Sequence, residues 1–138
     1  RKSQTLGLCC IRSSSRMRRQ AAYLTIAVNE LDYLKGCLIN IDCNFKVHLQ
    51  IDTGFNRLGF KDKNEVKTAV DMINGSNFIL EGIYQHFATA GIFDPHWDEQ
   101  VRNFKELTSL IDLNKIPIVH MAVPFQCSPT RNSLLQQA

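Results

Sequence analysis

Apolar runs alternate with amphipathic stretches along residues 22–122. Residues 23–28 form a short run with β-branched side chains, and residues 46–51 place an apolar side chain at every second position, as a half-buried strand does. Two more apolar runs cover residues 78–84 and 116–121. The pattern predicts four β-strands.

The segments between these runs have helical periodicity. After the first run, leucines recur at positions 31, 34 and 38. After the second run, Asp62 is predicted to cap a helix, with Glu65 in the capping-box position, and Gly75 is predicted to end it. The apolar face of this helix has residues three and four positions apart: Val66, Ala69, Val70 and Ile73.

A third helix is predicted to begin at Asp94 and Pro95, because aspartate is a favoured cap and proline is tolerated at the first helical position. Its apolar stripe consists of Trp97, Val101, Phe104, Leu107 and Ile111. Alternating strands and helices predict an α/β fold of parallel strands covered by helices, either a doubly wound sheet or a barrel. Four strands with three helices make up about half of a (β/α)8 TIM-type barrel. Because a half barrel has two open edges, we expect a fragment.

Composition divides the chain into a basic segment (1–21), the patterned region (22–122) and a divergent tail (123–138). Residues 1–20 hold six of the 16 basic residues and none of the 13 acidic ones. Such a segment resembles a transit peptide or a nucleic-acid-binding arm. Because no aromatic residues lie between its arginines to stack on bases, we favour a solvated surface or the damaged end of a longer chain. We therefore expect no nucleic-acid partner.

The five cysteines are odd in number and have no paired spacing, which favours reduced thiols and a cytoplasmic location over a disulfide framework. No apolar run approaches the about 18 residues of a membrane span, so no membrane association is expected. The histidines and cysteines also lack the short spacing of a zinc site.

Candidate chemistry follows the predicted strands, because ligands in parallel α/β folds bind beyond the carboxyl ends of the strands. After the second strand, Gly54 and Gly59 bracket Arg57 in a loop. The guanidinium of Arg57 offers a fixed fork of donors to a carboxylate, phosphate or phenolate. The alternative is a surface arginine paired with a nearby acid.

His86 follows the third strand and is a candidate acid, base, ligand or ring-stacking partner. The alternative is a structural histidine in the core whose ring nitrogens are hydrogen-bonded within the protein. His120, near the end of the fourth strand, makes a weaker case of the same kind. His48, in mid-strand, and His96, in the first turn of a helix, are interpreted as structural.

Three segments resemble motifs of the bacterial alanine racemases. Residues 52–59 resemble the family's DTGMxRLG loop, residues 81–90 resemble EGIYTHFATAD without its last residue, and residues 118–122 resemble the start of xHMANSAA. The order and spacing of the three also agree. A fainter match, to an LVLG…LTV stretch, involves Leu6-Gly7 and Leu24-Thr25.

The resemblance implies a barrel that binds pyridoxal 5'-phosphate and an enzyme that interconverts L-alanine and D-alanine for cell-wall synthesis as a homodimer. Arg57 would then contact the phenolic oxygen of the cofactor and the substrate carboxylate. His86 would belong to the hydrogen-bond network beneath the cofactor ring, and Leu6 would line the cofactor site.

The chain also departs from the family pattern. Gln50 stands where many members have a carbamylated lysine, Gly91 replaces an aspartate, and Val123-Pro124 replaces the Asn-Ser that contacts the cofactor. The lysine-bearing strand and the domain with the tyrosine base have no counterpart. We therefore expect no catalytic residue here and an inactive isolated chain. The alternatives are a non-catalytic cofactor-binding barrel protein, which the arginine loop disfavours, and a degenerate product without function.

Overall fold

The computed structural model describes residues 24–40, 44–88 and 96–122. Four parallel strands follow one another in the sheet in chain order: β1 (Thr25–Val28), β2 (Lys46–Ile51), β3 (Ile79–His86) and β4 (Ile118–Ala122). The connecting elements are α1 (Leu31–Asn40), α2 (Lys63–Asn74), α3 (His96–Leu107) and a 3₁₀ turn (Leu113–Lys115). The predicted α/β class and the neighbouring parallel strands are confirmed. The predictions for residues 1–21 and 123–138 lie outside the described residues.

The core lies between the sheet and the helices. Val47, Leu49 and Ile51, alternate residues of β2, are at most 1% exposed. The α2 face opposite them buries Val66, Ala69 and Ile73 completely, as the helical spacing predicts. Alternation along β2 therefore sends one set of side chains to the helices and the other set, beginning with Lys46, to the opposite face.

The ends of α2 are those predicted from the sequence. The Asp62 carboxylate accepts hydrogen bonds from the backbone amides of Asn64 and Glu65, which have no partner within the helix. The amide of Gly75 donates to the carbonyl of Asp71 and ends the helix. Both signals therefore depend on hydrogen bonds between residues close in the sequence.

The stripe predicted for α3 is confirmed at Phe104 and Leu107, whereas Trp97 and Val101 are only partly buried. Phe104 is fully buried and Leu107 packs against the core, but α3 ends at Leu107, so Ile111 lies outside the helix. The hydroxyl of Thr108 donates to the carbonyl of Phe104 at 2.7 Å, and the amide of Ile111 donates to Thr108 in a tight turn. Because this turn replaces the next helical turn, Ile111 reaches the core from a loop. The predicted start at Asp94 and Pro95 lies outside the described residues.

No helix among residues 24–40, 44–88 and 96–122 is long and apolar enough to cross a membrane.

Replacing Phe104 tests how much α3 contributes to the stability of the sheet. We expect Phe104→Ala to lower the free energy of unfolding by about 3–5 kcal/mol, because a fully buried ring is lost and a cavity remains. Leu110→Ala is the control, since Leu110 is 44% exposed, and it should cost far less. Urea unfolding followed by circular dichroism measures both. Equal losses would contradict the packing of α3 on the sheet.

Candidate functional site

The loop after β2 is organised by one buried carboxylate. Asp52, 5% exposed, accepts hydrogen bonds on Oδ1 from the amides of Gly54 (3.1 Å) and Asn56 (2.9 Å). Its Oδ2 accepts the amide of Arg57 at 2.9 Å. Lys61 adds a longer ion pair at 3.6 Å. The carboxylate therefore fixes the backbone that carries Arg57.

Gly59 lets this loop return to the end of β2. Its φ is +131°, and a Cβ there would lie 2.6 Å from the backbone nitrogen of Asp52. The close approach allows a short bridge, in which the amide of Asp52 donates to Phe60 and the amide of Phe60 donates to Gln50. No side chain fits at this position, so the loop requires glycine.

The Arg57 side chain is exposed at the carboxyl-terminal edge of the sheet. Its guanidinium carbon lies 4.4 Å from the centre of the Phe55 ring, a cation–π contact. The Arg57 charge also acts on Tyr84: burial raises the pKa of the Tyr84 hydroxyl, and Arg57 partly opposes that rise. The loop thus presents a cation toward the tyrosine of the neighbouring strand.

Tyr84 and His86 share the face of β3 that is turned away from the helices. The Tyr84 hydroxyl donates to Gln50 Oε1 at 3.1 Å, and the Tyr84 ring stacks on His120 with a centroid distance of 5.1 Å and an angle of 6°. His86 meets the Tyr84 ring edge-on at 5.5 Å. These contacts make an aromatic layer across β3 and β4.

The surroundings of His120 favour the neutral form of its imidazole. Burial lowers its pKa first, and the neighbouring His48 and His86 lower it further. A neutral imidazole stacks on Tyr84 without bringing another positive charge close to Arg57. His120 therefore supports the aromatic layer.

A second cluster lies at the amino-terminal half of the same face, around Glu81. Its carboxylate accepts hydrogen bonds from Lys46 Nζ (2.6 Å) and Thr25 Oγ1 (3.0 Å), and His48 Nε2 lies 3.2 Å away. The hydrogen bonds from Lys46 and then Thr25 lower the pKa of Glu81. One carboxylate thus joins β1, β2 and β3.

An irregularity in strand pairing places Glu81 in this position. Val47 pairs with Leu80 and His48 pairs with Gly82, so Glu81 is an extra residue in β3. A Cβ on Gly82 would lie 2.8 Å from the His48 ring, so glycine there leaves room for the imidazole. Bulge and glycine together let Glu81 and His48 meet.

Arg57 and His86 both lie at the carboxyl-terminal edge of the sheet, as predicted, since Arg57 follows β2 and His86 is the last residue of β3. The roles assigned to them remain predictions. Leu6 lies outside the described residues. His48 has Glu81 as a structural partner, and His96 begins α3 with Nδ1 3.6 Å from Glu99. No group of three metal-binding side chains occurs within residues 24–40, 44–88 and 96–122.

The sequence interpretation missed Tyr84 and a buried polar cluster on the helix side of the sheet. Tyr84 stands two positions before His86, and that spacing alone places both on one face of a strand. The buried cluster gives no such signal, because Gln85 and Gln100 read as exposed polar residues. They are 0% and 4% exposed.

Comparisons with known proteins give a consistent result. Residues 6–123 match the family described as "Alanine racemase, N-terminal domain". Alanine racemases of Ligilactobacillus salivarius and Streptococcus pneumoniae are 33% and 35% identical over 105 and 100 residues, or 72% and 70% of the chain. These alignments cover 28% and 27% of the two relatives.

Comparison with solved structures also finds racemases. Alanine racemase from E. faecalis superposes with a TM-score of 0.66 at 28% identity, covering 78% of this chain and 31% of that one. Histidine racemase from Leuconostoc mesenteroides gives 0.66 at 29% identity, covering 78% and 30%. The four-stranded sheet thus corresponds to part of a racemase barrel, which confirms the predicted fold class. The chain spans about a third of these structures.

Replacing Asp52 tests its control of the arginine loop. Asp52→Asn puts an NH₂ group where one of the accepting oxygens stands, so at least one loop amide loses its acceptor. We expect a loss of about 1–3 kcal/mol in the free energy of unfolding, the cost of an unpaired donor. Faster hydrogen exchange at Gly54, Asn56 or Arg57 should accompany it. Asp71→Asn, at an exposed helical ion pair, is the control; unchanged loop exchange in Asp52→Asn would contradict the role.

The Glu81 cluster should make stability depend on pH in a defined direction. Because the folded-state pKa of Glu81 is lowered, its contribution is complete above the ordinary value of 4.5 and is lost as the pH falls through the folded-state value. Wild type should therefore be more stable than Glu81→Gln at about pH 7, and the difference should shrink at about pH 3. Urea unfolding at both pH values measures it. A difference independent of pH would exclude the ionised carboxylate as the stabilising group.

Proposed function

The chain belongs to the alanine racemase family, and from that premise we infer that it forms part of the pyridoxal-phosphate barrel of a racemase acting on L-alanine and D-alanine. The observation that carries this proposal is the placement of Arg57, Tyr84 and His86. A cation on a glycine-bounded loop and an aromatic layer meet at the strand ends, where parallel α/β folds bind ligands. The proposed reaction supplies D-alanine for cell-wall synthesis.

The residues at this edge fit the chemistry of the cofactor. Pyridoxal phosphate has a planar ring, a phenolic oxygen and a phosphate, so it requires a flat surface and cationic donors. Tyr84 and His120 provide stacked rings, and Arg57 provides a guanidinium. Within the described residues Arg57 makes no ion pair, which leaves its donors available for an anion.

Each residue has a separable task in the proposed site. Arg57 would hold the phenolic oxygen of the cofactor and the carboxylate of the substrate, since a guanidinium suits both. His86 would contact the cofactor ring from the end of β3. Gln50 holds the Tyr84 hydroxyl and so fixes the ring between His86 and His120. When bound, pyridoxal phosphate supplies an electron sink for the charge that develops at the substrate α-carbon.

Gln50 gives the site a different electrostatic balance from that expected in family members with a carbamylated lysine. Its amide is neutral and its oxygen is already engaged by Tyr84. Arg57 therefore gains no negative partner from this position. A guanidinium without a neighbouring anion is better suited to take up the anionic groups of ligands.

Within residues 24–40, 44–88 and 96–122, no lysine follows a strand in the position needed for a covalent bond to the cofactor. Lys46 begins β2 at the opposite end and is held by Glu81, Lys61 is held by Asn56, and Lys115 precedes β4. Two bases on opposite faces of the substrate are also required for racemisation. We propose that the intact enzyme is a cytoplasmic homodimer and that this chain alone is inactive. Residues 22–122 would be the middle of its barrel domain, and Leu6 would line the site.

A non-catalytic barrel protein that binds the cofactor is the second candidate. Among the described residues no lysine stands in the position for a covalent bond, which favours the non-catalytic protein for the chain by itself. The glycine-bounded loop with Arg57 favours a racemase. Because the chain is also similar to a histidine racemase, the side chain of the preferred substrate has to be determined by experiment. Assays should therefore include L-alanine, L-serine and L-histidine.

The chain should bind pyridoxal phosphate without a covalent bond and without turnover. Absorbance titration of the 138-residue chain should give saturable binding, and Arg57→Ala should weaken it about tenfold or more, as expected for a charge-assisted contact. Lys67→Ala, at an exposed ion pair on α2, is the control and should bind normally. Borohydride reduction and digestion should yield no stoichiometric pyridoxyl-lysine, and no D-alanine should form.

Two outcomes would change this conclusion. A folded chain that binds no cofactor, or binding insensitive to Arg57, would overturn the proposed site. A single stoichiometric adduct with measurable turnover would show that another lysine serves the reaction, and the expected inactivity would be wrong.

A further inference from the structure

A buried glutamine of α3 bridges the two segments that carry Arg57 and His86. Gln100 is 4% exposed. Its Nε2 donates to Thr53 Oγ1 at 3.4 Å, and its Oε1 accepts the backbone amide of Ala88 at 3.2 Å. The two ends of one amide thus engage the loop after β2 and the segment after β3.

Thr53 is the point at which the first segment is held. It is 2% exposed, its hydroxyl donates to Gln85 Oε1, and its carbonyl accepts Asn103 Nδ2 at 2.8 Å. It directly follows Asp52, whose carboxylate sets the backbone up to Arg57. A displacement of Thr53 therefore moves the loop at its root.

Ala88 is the corresponding point on the second segment. It lies two residues after His86, the last residue of β3. The hydrogen bond from its backbone amide to Gln100 ties this segment to α3. The position of the His86 backbone thus depends on α3 as well as on the sheet.

Packing alone does not explain a glutamine at this position. Gln100 lies one helical turn before Phe104, on the face of α3 that otherwise buries apolar groups. Burying an amide costs free energy unless its polar atoms are paired, and here both ends are paired across two segments. An apolar side chain of similar size would fill the space without linking them.

We propose that Gln100 is a positioning residue that sets the relative placement of Arg57 and His86 from the helix side of the sheet. For its effect on ligand binding, this inference rests on the proposed cofactor site. Its effect on the two backbone segments is independent of any ligand. Gln100 is buried on the helix side of the sheet and is proposed to act through Thr53 and Ala88.

Three variants of the 138-residue chain separate the two halves of the bridge. Gln100→Met keeps the size and removes both hydrogen bonds, Thr53→Val removes the hydroxyl with its hydrogen bonds to Gln100 and Gln85, and Thr53→Ser keeps a hydroxyl. Hydrogen exchange at Ala88 and at the Gly54–Arg57 amides reports the backbone. Absorbance titration with pyridoxal phosphate reports the site, at temperatures where each variant is fully folded.

Gln100→Met should speed exchange in both segments and weaken cofactor binding about tenfold, the effect of about one net hydrogen bond. Thr53→Val should affect the loop but leave Ala88 protected, and Thr53→Ser should restore the wild-type values. Met72→Ala, which removes a partly buried side chain of α2, should lower stability without changing the dissociation constant. This control separates positioning from a merely structural role.

A folded Gln100→Met with wild-type exchange at Ala88 and in the loop would overturn the inference. If Gln100→Met failed to fold, the comparison of Thr53→Val with Thr53→Ser would test the inference. Equal hydrogen exchange in the loop of these two variants would overturn it. Absence of cofactor binding by wild type would instead overturn the proposed function, and the exchange data would still decide the role of Gln100.

Discussion

Parallel pairing of the four strands is the constraint on which the other features depend. Parallel strands end at the same edge of the sheet, so β2 and β3 deliver the Arg57 loop and His86 to one place. Alternation along each strand then divides the side chains between two faces. One face is covered by helices and is mainly apolar, and the other carries the charged and aromatic groups. The location of the candidate site therefore follows from the common direction of the four strands.

The polar face is itself divided along the strands. Toward the amino-terminal ends, Glu81 compensates Lys46 and is close to His48, so the charges there are satisfied within the protein. Toward the carboxyl-terminal ends, Tyr84 and His120 form a flat layer beside the cation of Arg57. The Glu81 carboxylate has its hydrogen-bond partners in Lys46, Thr25 and His48, on this half of the face. The cation at the ligand edge is therefore left for anionic groups from outside.

Local signals account for the part of this structure that the sequence predicts. The alternation in β2, the cap at Asp62 and the stop at Gly75 depend on neighbours within a few residues, and each is confirmed. The length of α3 was mispredicted, because a tight turn closed by the Ile111 amide on Thr108 follows Leu107, and Ile111 reaches the core from this turn. The bulge at Glu81 was also beyond prediction, since it requires partners on two other strands. The motifs around Arg57 and His86 placed these residues correctly, but Gln85 and Gln100 carry no local sign of burial.

The two faces of the sheet have different tasks in the site. Groups suited to ligand chemistry lie on the face turned away from the helices, whereas the groups that place them lie beneath, in contact with α3. A loop fixed only by its own turn would still pivot about the end of β2. Asp52 removes the internal freedom of the loop, and Thr53 ties its root to α3. Because Gln100 also holds Ala88, a change in α3 alters both segments together. The separation between Arg57 and His86 is thus a property of the helix packing as much as of the strands.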